Sequence, residues 1–217
     1  DLGIEQSPAT TQIEPHDWNS ELFDALKRVN MVLLGFSRDC WWYISRGVFR
    51  QKVIGKQVGS STMPHKVNPI DFENAEGNFE LGSALLSKLS EKLQISRFQR
   101  DLSDSTVQRS IGSAFGYCLL ALDSLSIGLD KISPDQRYIA AELDQHWEVL
   151  TEALQVVMRR FGVKDAYEKM KGLVRGKSLD RKTYQQFVEQ LKIPAPDKER
   201  LKKLRPDTYI GLADQMV

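Results

Sequence analysis

The sequence predicts an all-α protein, with a bundle of long helices followed by a small all-helical C-terminal domain. Three observations carry that prediction. Apolar residues recur at steps of three and four along three long stretches. Strand signals, such as alternation ending in Asn-Gly turns, are absent throughout. After Ser133-Pro134 the periodic stretches shorten, which makes residues 1–133 part of a central bundle and residues 134–217 the C-terminal domain.

The elements follow in order. Residues 1–15 read as an irregular lead-in with Pro8, Pro15 and the polar run Thr10-Thr11-Gln12. Asp17 or Asn19 is placed to cap the first helix, with Glu21 in its first turn. Leu22, Leu26, Val29, Leu33, Phe36, Cys40, Ile44 and Val48 give that helix one apolar seam. Its length would be about 30 residues, roughly 45 Å at 1.5 Å per residue. Phe72, Ala75, Phe79, Gly82, Leu86, Leu89 and Leu93 define a second seam, where Gly82 would admit a neighbouring helix. From Thr106 onward, Val107, Ile111, Ala114, Cys118, Leu122, Leu125, Leu129 and Ile132 define a third. Pro134 suits the first position of the next helix. Leu143, Trp147, Leu150, Leu154, Val157 and Phe161 then form a seam ended by Gly162, and Tyr167, Met170 and Val174 one ended by Gly176. Another helix covers about Arg181 to Leu191, before Pro194 and Pro196, and the last two helices are short and separated by Pro206.

Composition narrows the function classes. Apolar residues make up 41% and charged residues 27%, and the formal net charge is +1, which gives no push toward nucleic acid or membrane binding. Cys40 and Cys118 sit inside apolar helical patterns and read as buried thiols in a reducing compartment. No uninterrupted apolar run reaches the roughly 18 residues of a membrane span, and the stretch from Met31 to Ile44 is interrupted by Arg38 and Asp39. The cytoplasm is the expected compartment. The irregular e/g charge pattern and the bulk of Trp41 and Trp42 favour packing inside a bundle over a free coiled coil, and helices too long to cover one another imply self-association.

The chemistry concentrates in a loop of about residues 55–71, between the first two long helices. Gly59-Ser60-Ser61-Thr62-Met63-Pro64-His65-Lys66-Val67-Asn68-Pro69-Ile70-Asp71-Phe72-Glu73 packs glycine, hydroxyls, a lysine, an asparagine and carboxylates together, and its prolines keep helix from running through. A serine here can serve as base or nucleophile if Lys66 supports its alkoxide. Asn68 and backbone N–H groups near Gly59 can stabilise an oxyanion on a substrate. A capped surface turn is the plain alternative. A Ser-Lys hydrolase would instead show Ser-x-x-Lys on a helix, whereas Lys66 lies six residues past Ser60 in a proline-broken loop.

A second polar constellation runs from Ser96 to Arg109. Ser103 or Asp104 reads as a helix N-cap, which puts Ser105 in the first turn and Arg109 one turn on. With Arg100 just before, these groups form a phosphate cradle or, read plainly, surface bridges to Asp101 and Asp104.

Gly-Ser-Ser-x-Met-Pro-x-Lys-x-Asn-Pro resembles the signature of the fumarase/aspartase superfamily, whose enzymes eliminate fumarate from a substituted succinate. Arg100, Ser105 and Arg109 are similar to the phosphate-holding residues of its adenylosuccinate lyase branch, and Gln12 to a substrate-contacting glutamine there. Asp71-Phe72-Glu73-Asn74 and Trp147-Glu148-Val149-Leu150 resemble that branch's bacterial long form. The resemblance implies a bundle of the fumarase/aspartase type and cleavage of adenylosuccinate to AMP and fumarate, with the related ribotide as second substrate. It implies Ser60 as general base, Lys66, Asn68 and loop N–H groups around the dianion, and Ser61 and Met63 in substrate binding. Glu73 is expected to fix Lys66 or the loop. No cofactor and no metal is implied, and the partners are a nucleotide substrate and copies of the same chain in a homotetramer with shared sites. Sister lyases acting on argininosuccinate, aspartate or malate, or an inactive helical relative, are the alternatives.

One departure stands out. The family uses a histidine as general acid from a region upstream of this sequence, and His16, His65 and His146 do not match it. The opening Asp1-Leu2-Gly3-Ile4 has no initiating methionine, so the chain is expected to be a fragment holding half an active site.

Overall fold

A computed structural model describes residues 2–3, 7–52, 68–175 and 179–216, with the backbone alone at residues 173 and 174. Two compact units emerge, residues 1–134 and residues 135–217.

The first unit holds helices α1 (Asp17–Ser45), α2 (Ile70–Leu93), α3 (Ser103–Gln108) and α4 (Ile111–Lys131), with strands β1 (Phe49–Gln51) and β2 (Ile132–Pro134). Helix α2 is central, packed against α1 on one side and α4 on the other. Its seam is the expected one, since Phe72, Ala75, Phe79, Gly82, Leu86, Leu89 and Leu93 are all buried. A side chain on Gly82 would come within 2.9 Å of Cys118 Sγ, so the glycine lets α4 approach closely. Cys40 and Cys118 are buried free thiols.

Helix α1 has the expected length, and its inward face keeps Leu26, Leu33, Cys40 and Ile44 of the expected seam but not the rest. Leu22, Val29 and Phe36 are exposed, while Ser20, Phe23, Asn30, Leu34, Ser37 and Cys40 face inward. Small and hydrogen-bonded polar residues occupy this seam: Ser37 donates to the Leu33 carbonyl (2.9 Å), and the Asn30 amide reaches Cys118 Sγ (3.1 Å) and Ser83 Oγ (3.4 Å). A polar group whose hydrogen bonds are made inside can replace an apolar one in a seam, and periodicity in apolar residues alone does not find it.

Other expectations are corrected in detail. The third long helix is two helices: residues 109 and 110 form a turn between α3 and α4, where Ser110 and Gly112 are weak helix formers. Along α4, Leu122 and Leu129 are exposed, and Ala121, Ser124, Gly128 and Lys131 are buried instead. Strands do occur: β1 and β2 pair antiparallel with Phe49 opposite Pro134 and Gln51 opposite Ile132. Three residues are too few to show alternation in sequence. Pro134 ends β2, and the next helix is capped by the Asp135 carboxylate. Helix α1 is capped at His16, whose carbonyl accepts from the Ser20 N–H (3.0 Å) and hydroxyl (2.9 Å), and by neither Asp17 nor Asn19. By length and mean hydropathy the stretch Ser103–Lys131 is apolar enough to cross a membrane, although it contains no unbroken apolar run. One face of it, with Ala114, Cys118, Ala121 and Leu125, is packed into the bundle.

The second unit contains α5 (Gln136–Asp144), α6 (Thr151–Arg160), α7 (Ala166–Val174), α8 (Arg181–Gln190) and α9 (Ala195–Lys203), with 3₁₀ turns at Trp147–Leu150, Pro206–Thr208 and Ala213–Gln215. Asp135 accepts from the Arg137 and Tyr138 N–H groups (3.1 Å each) to start α5, and Gly162 takes φ +67 just past α6, where glycine is favoured. Trp147, Leu150, Leu154, Val157, Met158, Met170, Tyr184, Val188 and Leu201 share one buried core. Tyr167, expected on a seam, is exposed, and Ala166 and Met170 carry that helix's buried face. Gly176 lies outside the described residues.

Candidate active site

Two groups of sequence-predicted residues can be located, both in the first unit. The first is formed where residues 11–16 meet α3. The Gln12 N–H donates to the Gln99 carbonyl (3.4 Å), which puts the Gln12 backbone beside the residue preceding Arg100. Arg100 Nε is 3.7 Å from Asp104 Oδ2. Ser105 sits in the first turn of α3, and its hydroxyl donates to the Leu102 carbonyl (2.8 Å). Arg109 is exposed in the turn after α3.

The cap of α3 is neither Ser103 nor Asp104. Asp101 accepts from the Ser103 N–H (2.8 Å), from the Ser103 hydroxyl and from the Arg97 N–H (3.2 Å). The Ser103 contacts hold its carboxyl below the usual carboxylate range. The Ser105 N–H in turn donates to Asp104 Oδ1 (2.5 Å). Free N–H groups were the expected attraction for an anion here, and two of them are already engaged. Arg100 and Arg109 are the cationic side chains at this place.

The second group flanks the signature loop. Ser60, Ser61, Met63, His65 and Lys66 lie outside the described residues. Asn68 is half-buried, and its carbonyl accepts from Gln51 Nε2 (3.4 Å). Glu73, in the first turn of α2, accepts from Trp41 Nε1–H of α1 (3.0 Å). Beside it Arg38 bridges Glu76 (2.7 Å) and Glu80 (2.8 Å), and Arg38, Trp41, Trp42, Glu73 and Glu76 line a cleft of about 290 Å³. Hydrogen bonding to Glu76 raises the Arg38 guanidinium further.

Two connections were not anticipated from sequence. Lys131, buried at the end of α4, donates to Asp71 Oδ2 (2.7 Å) at the start of α2, and its carbonyl accepts from the Lys52 N–H (2.8 Å). One residue therefore ties together β1 and α2, the two elements that flank the loop. The second connection is His16, which is buried at the crossing of the lead-in and α3, with its ring against Glu14, Asn19, Asp104 and Gln108. A polar residue next to a helix start was the only hint of it in the sequence. His146 is exposed and paired with Glu148 (2.6 Å). Among the described residues no group of three His, Cys, Asp or Glu side chains is arranged to hold a metal.

A family model described as adenylosuccinate lyase C-terminal matches residues 96–210, and one described as lyase matches residues 2–80. The chain is 51% identical over 216 residues to the adenylosuccinate lyase of Haemophilus influenzae and 51% identical over 216 residues to that of Escherichia coli K12. In both cases all of this chain aligns with 47% of the relative, so the chain spans about half the length of the curated relatives it matches. A crystal structure of 3-carboxy-cis,cis-muconate lactonizing enzyme from Pseudomonas putida superposes with TM-score 0.64 at 23% identity, over 96% of this chain and 47% of that one, which shows a shared fold. With more than half of its residues inside one family model and the helical bundle to match, the chain belongs to the adenylosuccinate lyase C-terminal family.

Proposed function

We propose that the full-length protein carrying this chain cleaves adenylosuccinate to AMP and fumarate by β-elimination, and the related succinyl-aminoimidazole carboxamide ribotide to its carboxamide and fumarate. The observation that carries this reading is the 51% identity to adenylosuccinate lyases along the whole chain, through both the signature loop and the Arg100–Arg109 constellation. Ser60 removes the proton beside a succinyl carboxylate, Lys66 and Asn68 stabilise the dianion, and a histidine from outside this sequence protonates the leaving nitrogen. Glu73, held by Trp41, fixes the base of the loop. Gln12, Ser61 and Met63 contact substrate, and Arg100, Ser105 and Arg109 hold its phosphate. The chemistry needs no cofactor or metal.

The protein acts as a homotetramer in the cytoplasm. Val29, Val32 and Phe36 on α1 and Leu119, Leu120 and Ile127 on α4 lie exposed, and copies of the same chain with sites shared between them would cover these faces.

Calorimetry with AMP against adenosine tests the phosphate assignment. The full-length protein is expected to prefer AMP, and Arg109→Ala to weaken AMP by about 10- to 150-fold, the loss of one charge-assisted contact of roughly 1.5–3 kcal/mol. Equal affinity for both ligands in the wild type would move the chain to another fumarate-releasing lyase.

A further inference from the structure

We infer that His16 is a positioning residue, which holds the Gln12 segment and the Arg100–Arg109 constellation in one register so that both meet the same nucleotide. The inference rests on the phosphate assignment above. His16 is 8% exposed, and its ring is bonded on both sides. Nδ1 lies 2.6 Å from Glu14 Oε1, which also accepts from Asn19 Nδ2 (2.8 Å). Nε2 lies 3.3 Å from Gln108 Nε2 and 3.9 Å from Asp104 Oδ2. Nδ1 also lies 3.2 Å from Asn19 Nδ2, so the ring has lead-in and α1 partners on one side and α3 partners on the other, and it bridges the lead-in and α3 with both nitrogens in use.

Each partner sits beside a proposed substrate contact. Asp104 precedes Ser105 and also pairs with Arg100 (3.7 Å), and Gln108 precedes Arg109. Glu14 lies two residues from Gln12. His16 is one of three described non-glycine residues at positive φ (62°), a conformation that costs energy and persists where surrounding contacts hold it. Two segments distant in sequence must present groups to one ligand, and α3, six residues long, is too short to fix its own placement. A buried ring between them supplies that rigidity, much as supporting hydrogen bonds orient ligands around a metal.

The test uses the full-length protein and calorimetry with AMP and adenosine. His16→Leu keeps volume and loses both hydrogen bonds, whereas the amide oxygen of His16→Gln can still accept from Gln108. His16→Leu is expected to weaken AMP by about 10-fold, the scale of one misplaced charge-assisted contact, and adenosine less, with the kinetic loss mainly in KM. His16→Gln is expected to recover part of the AMP affinity. Should His16→Leu fail to fold, Gln108→Leu removes the α3 half of the bridge from a half-buried position and is expected to act in the same direction more weakly. If the wild type prefers AMP while a folded His16→Leu or Gln108→Leu keeps that preference undiminished, His16 only packs and the inference is overturned, with the phosphate assignment intact. If the wild type itself does not prefer AMP, the phosphate assignment fails first and this inference falls with it.

Discussion

The two units solve the problem of burying apolar surface in opposite ways. In the second, five short helices fold around a single core that runs from Trp147 through Leu154 and Tyr184 to Leu201. The Tyr184 hydroxyl inside it donates to the Leu201 carbonyl (2.9 Å), and burial pushes its phenol well above the usual range. In the first unit three long helices share two separate clusters, one around Phe72 and Phe79 and one around Leu86 and Leu89. The Asn30 contacts to Ser83 and Cys118 add hydrogen-bonded polar groups to its interior, and its helices keep broad apolar faces outside. The second unit gathers its buried apolar residues into one core. The first divides its buried residues between two clusters and carries the sequence-predicted site residues that can be located.

If that contrast holds, the largest effects of substitution on chemistry belong to the first unit. Ser60→Ala in the full-length protein should lower kcat by about 10²–10⁴-fold with substrate affinity nearly intact, because the hydroxyl acts in the transition state. Steady-state kinetics with fumarate release as readout would measure it. Near-native kcat in Ser60→Ala together with its loss in Ser61→Ala would reassign the base.

The next effect lies at the base of the loop. Lys131 and Asp71 form a buried pair (2.7 Å), and removing one partner leaves the other charge without compensation. Lys131→Met should therefore cost about 3–5 kcal/mol in chemical denaturation, and adding Asp71→Asn should return much of the loss. If the double variant were as unstable as the single one, the pair would matter through packing. Leu154→Ala provides the contrast from the second unit. Leu154 is fully buried, and its truncation should cost about 2–5 kcal/mol of stability while kcat of the folded protein stays unchanged. A fall in kcat as well would show that the second unit is coupled to the chemistry.

The same contrast explains what could be read from sequence. Every apolar residue expected on the α2 seam is buried, joined only by Ser83 and Ser90, because a central helix buries apolar groups on the face that its period announces. The α1 seam was legible only in part, through Leu26, Leu33, Cys40 and Ile44. Its strongest apolar period, through Leu22, Val29 and Phe36, is exposed, and its buried stripe uses Ser20, Asn30 and Ser37. Apolar periodicity reports where surface seeks cover, and in a helix with two such faces it does not say which one this chain covers itself. The paired strands were invisible because three residues carry no period. Of the candidate site, the sequence offered residue types and spacings, but not the contacts that surround the residues the structure describes. Lys131 and His16 meet partners 60 and 88 positions away, at Asp71 and Asp104, and no local pattern encodes such a distance. The break after α3 was not legible either, although it leaves the Ser105–Arg109 spacing alone: Arg109 is the helical C-cap of α3, one turn past Ser105, and the chain turns after it.

The smallest effect sharpens the comparison from the other side. Asp180 starts α8 by accepting the Thr183 N–H (2.7 Å), and the Thr183 hydroxyl, then that N–H, hold its carboxyl below the ordinary carboxylate range. A carboxyl whose pKa is lower folded than unfolded contributes stability that is fully present above the unfolded value of about 4 and is lost as pH falls through the folded one. The Asp180 contribution should thus be complete at neutral pH and vanish in acid. Asp180→Asn keeps a cap that can accept the same N–H but cannot titrate. The variant should melt slightly below wild type at neutral pH, and the gap should close on acidification below pH 4. The effect belongs to the second unit alone, since α8 and the core it joins lie there. Calorimetric melting of wild type and Asp180→Asn across that pH range, with AMP affinity measured alongside at neutral pH, would separate the two units. A gap that stays constant with pH would show that the Asp180 charge contributes nothing, and a change in AMP affinity would show that the second unit reaches the site.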